Sequence, residues 1–133
     1  MTVSRPIISN KQARHIFMAR QGLCRAPGKA QDKDDLAALI HQLGFVQMDS
    51  IRTVERAHHM ILFARNQTYK LEHLRQLVEE DRRLFEHWTH DAALIPTEFY
   101  PHWRHRFVLA EDRLRKRWRK IRPKQAAGGK AIG

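Results

Sequence analysis

Two hydrophobic periods alternate along this chain, and that alternation restricts its fold more than any other feature. Apolar residues recur every three or four positions in four stretches. These carry Ile16, Phe17 and Leu23; Leu36, Leu39, Ile40 and Leu43; Leu71, Leu74, Leu77 and Val78; and Phe99, Trp103, Phe107, Ala110, Leu114 and Trp118. Such spacing predicts amphipathic helices. Between them lie two short runs without it, "FVQMDSI" at 45–51 and "RLFEHWTH" at 83–90, which read as strands, with Pro96 closing the loop behind the second. Residues 54–69 predict a short helical turn running into a loop. Ser9 with Gln12 three positions later predicts a capping box for the first helix, Asp34 or Asp35 is expected to cap the second, and Gly44 to end it. Pro27–Gly28 marks the turn between them. The pattern predicts an α+β chain, a mostly helical winged-helix (helix-turn-helix-like) domain with two or three short strands over residues 1–122. Residues 123–133 are expected to be a linker or disordered tail.

At 133 residues the chain is long enough for one buried core but not for two full domains. Its formal net charge is +11, which favours polyanionic partners, nucleic acid foremost. The excess concentrates late. Arg113, Arg115, Lys116, Arg117, Arg119, Lys120, Arg122 and Lys124 have only Glu111 and Asp112 beside them. Like charges at i,i+4 destabilise a helix, so an outside anion is expected to offset them. Trp103 and Trp118 fall on the apolar stripe of that helix and are expected in the core. The lone Cys24 excludes an internal disulfide and a thiolate metal cage. The longest apolar run, "MILFA" at 60–64, is too short to span a bilayer, and the N-terminus lacks a secretory core, so a cytoplasmic monomer is expected.

Several familiar catalytic signatures are missing: the glycine-rich phosphate loop, the His-Glu-x-x-His zinc motif and the nucleophile elbow. Nine histidines invite a metal reading, but adjacent ones such as His58 and His59 diverge by about 100° on a helix and seldom chelate together. No metal and no cofactor are expected. His58, His59, His87 and His90 are then either buried and hydrogen-bonded or turned towards DNA. Gln47 and Asp49 form the most suggestive pair. At i and i+2 of a strand they share a face, about 6.5–7 Å apart, close enough to hold and polarise one water. Asp49–Ser50 as an N-cap for the segment that follows is the plain alternative.

Taken together, "VQMDSIRTVERAHHMILFAR" and "LFEHWTHDAALIP" resemble the YcaQ/AlkZ-type crosslink-repair DNA glycosylases, bacterial winged-helix proteins. The likeness rests on a Gln-x-Asp triplet, then Arg56-Ala-His58-His59, then Arg65, then Trp88-x-His90-Asp91-Ala-x-Leu-x-Pro, and it spans roughly residues 9–120. It implies a monofunctional glycosylase that hydrolyses the N-glycosidic bond of alkylated purines in double-stranded DNA, including crosslinked ones. Gln47 and Asp49 would be catalytic, and Arg56, His58, His59, Arg65, His90, Arg115 and Arg119 would meet the nucleic acid. Members of that family are longer, with tandem winged-helix units, so the chain is expected to correspond to the first unit. The competing class is a winged-helix regulator without catalysis, which needs a helix offering Arg, Asn or Gln to base edges. The helix near 70–83 instead carries Glu72, Glu79, Glu80 and Asp81, a poor face to bring towards phosphates.

Overall fold

The computed structural model describes residues 7–26, 28–49 and 54–121. The first helix, α1 (Asn10–Arg20), starts at the expected capping box: the Ser9 hydroxyl accepts from the Gln12 amide while the Gln12 side chain accepts from the Ser9 amide at 2.9 Å. Helix α2 (Lys33–Leu43) starts from a different residue than expected. Asp32, in extended conformation, is its cap, accepting from the Asp35 amide at 2.9 Å, and Asp35 reciprocates from the third helical position. A cap must precede the first turn, whereas Asp34 and Asp35 already lie inside it and complement the positive end of the helix dipole. Gly44 ends α2 with φ of 87°, a left-handed conformation that costs a side-chain-bearing residue and glycine nothing.

Strand β1 is short, Val46–Gln47, and is followed by α3 (Ala57–Phe63) and α4 (Leu71–Glu79). Strands β2 (Leu84–Trp88) and β3 (Ala92–Pro96) form an antiparallel hairpin, with Leu84 opposite Pro96 and Trp88 opposite Ala92. The apolar run expected to be a loop ending at Pro96 is therefore a strand, and it is the central one: the sheet order is β1-β3-β2. Ala93, Leu94 and Ile95 are buried because β3 is flanked by strands on both sides. Pro96 lacks an amide to donate and falls at the last position of the strand, where that loss is tolerated.

One core joins these elements. Leu36, Leu39 and Ile40 from α2, Leu62 from α3 and Leu74 and Leu77 from α4 pack with Val46, Leu84 and Leu94 of the three strands. Burying a leucine or isoleucine of this kind stabilises the fold by about 1.5–3 kcal/mol. The result is the α+β, winged-helix-like arrangement expected from the pattern, three helices against a small antiparallel sheet, with α1 added in front.

Helix α1 joins that body through its C-terminal end. The Gln42 side chain donates to the carbonyls of Ala19 and Arg20, both at 2.9 Å, and Arg65 Nε donates to the Gln21 carbonyl at 2.7 Å. Orphan carbonyls at a helix end are satisfied this way when no further turn continues. No residue of α1 is buried, and Ile16 and Phe17 remain 50% and 61% exposed.

The chain divides into two compact units, Met1–Glu98 and Phe99–Gly133. The described part of the second is the helix α5 (Tyr100–Ile121), entered through a short 3-10 turn, Thr97–Phe99, that begins in the first unit. Along α5, Leu114 and Trp118 are 54% and 66% exposed, so the expectation that Trp118 sits in the core is not met. A single helix has no second element of its own against which to bury a stripe. Arg122, Lys124 and the expected linker at 123–133 lie outside the described residues.

Candidate active site

The end of β1 and the β2–β3 turn come together at one open cleft of about 520 Å³, lined by Gln47, Met48, Asp49, Arg56, Trp88, Asp91 and Ala92. That size falls in the usual range for small-molecule sites. The sheet register explains why these residues meet. Val46 pairs with Leu94 and Gln47 with Ala93, and the Met48 amide continues the ladder by donating to the Ala92 carbonyl at 2.7 Å. The triplet is thus held by backbone against the central strand, and the same strand runs back through the turn to Trp88. Within the turn, the Thr89 amide donates to the Asp91 carbonyl at 2.8 Å, which fixes Asp91 beside the strand ends.

Gln47 and Asp49 are both half-buried and both line the cleft, so the pair singled out by spacing shares one space. Asp49 is not the N-cap of α3. That position belongs to Arg56, in extended conformation, nine residues beyond the strand end at Gln47, and it carries no side-chain cap bond. Ser50, the other half of the capping alternative, lies outside the described residues.

The remaining residues linked to nucleic acid fall into three groups. Arg56 is exposed and lines the cleft, and His90 is exposed in the hairpin turn with its ring edge-on to Phe45, centroids 6.3 Å apart. His58, His59 and Arg65 face inward instead. His58 is only 4% exposed, its ring 4.1 Å from that of His59, whose Nδ1 lies 2.7 Å from the Tyr69 hydroxyl. Of the two readings open for the histidines, His58 meets the first only in part: it is buried, but its Nδ1 has no hydrogen-bond partner. Arg65 donates to the Gln21 and Ile61 carbonyls at 2.7 and 2.9 Å, a clamp between α1 and α3. Arg115 and Arg119 lie on α5, where eight lysines and arginines face two acids, although Arg115 is already bridged to Glu111 at 2.6 Å.

The electrostatics of the buried group are specific. Burial lowers the His58 pKa below its ordinary 6.5, with His59 and Arg56 adding to the effect, while Glu55 and Asp49 pull the other way. Desolvation wins, and the imidazole is held neutral. Tyr69 is pushed well above the usual phenol range, first by burial and then by Glu55, so it stays a hydrogen-bonding hydroxyl. Among the described residues no three His, Cys, Asp or Glu side chains gather as a metal site.

Trp88 and Asp91 were not foreseen as lining the site. Both sit in the Trp-x-His-Asp run, but with β3 read as a loop nothing placed that run opposite the Gln-x-Asp triplet. The signal was the apolar "AALIP" just behind a short polar turn, a hairpin pattern.

A three-stranded sheet on a small helical body, a polar cleft at the sheet end and a strongly basic surface define a nucleic-acid-acting member of the winged-helix-like class. The sequence profile of the DNA glycosylase AlkZ-like family matches residues 40–132, and the chain belongs to that family. The match includes the triplet, the paired histidines, the hairpin and α5. No solved structure matches the chain. The family is one of DNA repair glycosylases, so the substrate is DNA and the reaction is cleavage of a base from its sugar.

Proposed function

We infer that this chain hydrolyses the N-glycosidic bond of N7-alkylated purines in duplex DNA, with Gln47 and Asp49 as the catalytic pair. The observation that carries this reading is the meeting of both side chains in one cleft, pinned there by the pairing of β1 with β3.

A purine alkylated at N7 is already a cation. When the C1′–N9 bond breaks, its electron pair goes to the base, which departs neutral, and positive charge develops on the sugar as an oxocarbenium ion. The leaving group needs no general acid. What the site supplies is a nearby anion and an oriented water, as in glycoside hydrolysis. Asp49 stabilises the developing cation and takes the proton of the water as its oxygen bonds to C1′. Gln47, two residues before it at the end of β1, holds that water through its amide. Met48 between them makes the triplet partly apolar, and excluding bulk water strengthens the interaction of Asp49 with the sugar. Among the described residues no lysine lines the cleft to form an imine with C1′, which supports simple hydrolysis without strand nicking. Crosslinked purines present the same N7 alkylation and fall under the same chemistry.

Arg56 at the rim and the basic face of α5 supply phosphate contacts. A regulator that reads bases with α4 is disfavoured by the charges on that helix, where Arg75 is gripped by Glu72, Glu79 and Glu80 at 2.5, 2.9 and 2.6 Å.

The test is incubation with a duplex bearing a single N7-methylguanine, followed by alkali to reveal abasic sites. The expected product is a break at the lesion after alkali and none before it. An intact strand after alkali overturns the reading, and a break without alkali overturns its monofunctional character.

A further inference from the structure

We propose that Trp88 and Asp91 form a cation-selective seat for the departing base, so that the cleft itself distinguishes a positively charged alkylated purine from a neutral one. The proposal deepens the glycosidase reading above and rests on it for the identity of the ligand.

Charge gives the first argument. Among the described residues, the cleft lining holds two carboxylates, Asp49 and Asp91, and one guanidinium, Arg56. Two carboxylates on the lining make an environment suited to a cation. One carboxylate suffices for the oxocarbenium. Asp91 is a second, contributed by a different element, and its position is set by the hydrogen bond from the Thr89 amide to its carbonyl rather than by the catalytic triplet.

Shape gives the second. Trp88 ends β2 opposite Ala92, is 62% exposed, and lines the cleft. Indole has the strongest π-face attraction for cations among the aromatic side chains, and its flat surface matches a purine ring. A neutral guanine would gain stacking on Trp88 and nothing more. A cationic N7-alkylguanine would gain stacking, cation–π attraction and the field of Asp91. Because the alkylated base loses its charge when the bond breaks, the same seat releases the product once chemistry is complete. Ala92, beside the indole, leaves room that a larger side chain would fill.

The experiment uses a duplex carrying 2′-fluoro-N7-methylguanosine, in which the fluorine makes the glycosidic bond inert, against the same duplex with 2′-fluoroguanosine. Binding of the full chain is read by fluorescence anisotropy, with circular dichroism to verify folding of each variant. Wild type is expected to prefer the cationic duplex by about three- to tenfold, the range that a cation–π contact supplies. Trp88→Leu is expected to weaken both duplexes through lost stacking but the cationic one more, so that the preference falls; Trp88→Phe is expected to retain part of it, and Asp91→Asn to reduce it without changing affinity for the neutral duplex. A preference undiminished by Trp88→Leu, a loss that affects both duplexes equally, or no preference in wild type would overturn the seat. The uncleavable lesion separates the two readings. Absent excision with an intact preference refutes the glycosidase chemistry alone, whereas intact excision without preference refutes the seat alone.

Discussion

Single residues divide between chemistry and framework in ways that their sequence context hid. His58 and Arg65 belong to the run that carries the family likeness, yet the first is buried and the second holds backbone carbonyls. For His58 the direction of the pKa shift fixes a pH dependence. The unfolded chain protonates this imidazole near its ordinary 6.5, while the folded one resists, with burial as the leading cause. Its contribution to stability is therefore fully present above about pH 6.5, starts to be lost below it, and is gone once the pH has passed below the folded value. Replacing it by His58→Gln is expected to flatten the fall in melting temperature between pH 7 and 5; an unchanged slope would show that another group is responsible. Arg65→Lys keeps the charge but cannot hold the Gln21 and Ile61 carbonyls through one planar fork. A loss of about 1.5–3 kcal/mol is expected in urea unfolding, as for hydrogen bonds to a charged group, with DNA affinity little altered. That Gln47 and Asp49 line one cleft follows their spacing of two, although the strand expected over 45–51 is confined to Val46–Gln47. The inward placement of His58 was not legible, since burial depends on what packs over α3.

Elements were mostly read well where the signal is local, the α2 cap at Asp32 being the exception. The Ser9–Gln12 box, the Gly44 stop and the apolar face of α4 are features of a few adjacent residues, and each is present in the structure. Strand β3 was missed because its defining property is a pairing across distance: four of its five residues are buried between two strands, so no polar alternation marks it. The same strand is what places the site. Ala93 lies opposite both Gln47 and His87 and has no exposed surface. Ala93→Leu forces a larger side chain into that position and is expected to cost about 1–3 kcal/mol of stability, and to lower excision further than stability explains by displacing β1. Thermal melting and single-turnover kinetics on the same protein would separate the two; a variant with normal kinetics would mean that the triplet does not depend on this register. Gly22, at φ of 70°, is the corresponding position near α1, where an added Cβ would come within 2.7 Å of Leu39 Cδ1. Gly22→Ala is expected to destabilise by more than about 1 kcal/mol, read in the same melts.

At the scale of the whole molecule, charge and fold point to the same partner. The net +11 and the basic face of α5 predict binding dominated by phosphate. Log affinity for duplex DNA is expected to fall with log salt by about 0.9 for each phosphate contact, and Arg119→Glu to weaken all sequences alike. Affinity insensitive to salt would contradict that role. Composition foretold this partner; the apolar stripe of α5 did not foretell burial, because periodicity reports a face and not what covers it. What links the basic surface to repair is the cleft at the sheet end and the carboxylate within it. Asp49→Asn removes the charge at constant shape, and its excision of N7-methylguanine under single-turnover conditions at saturating protein is the decisive rate. A fall of about 10²–10³-fold is expected, comparable to removing one stabilising group from a preorganised site, with melting temperature and DNA affinity unchanged. Excision by D49N at the wild-type rate would contradict the assignment of Asp49 to catalysis.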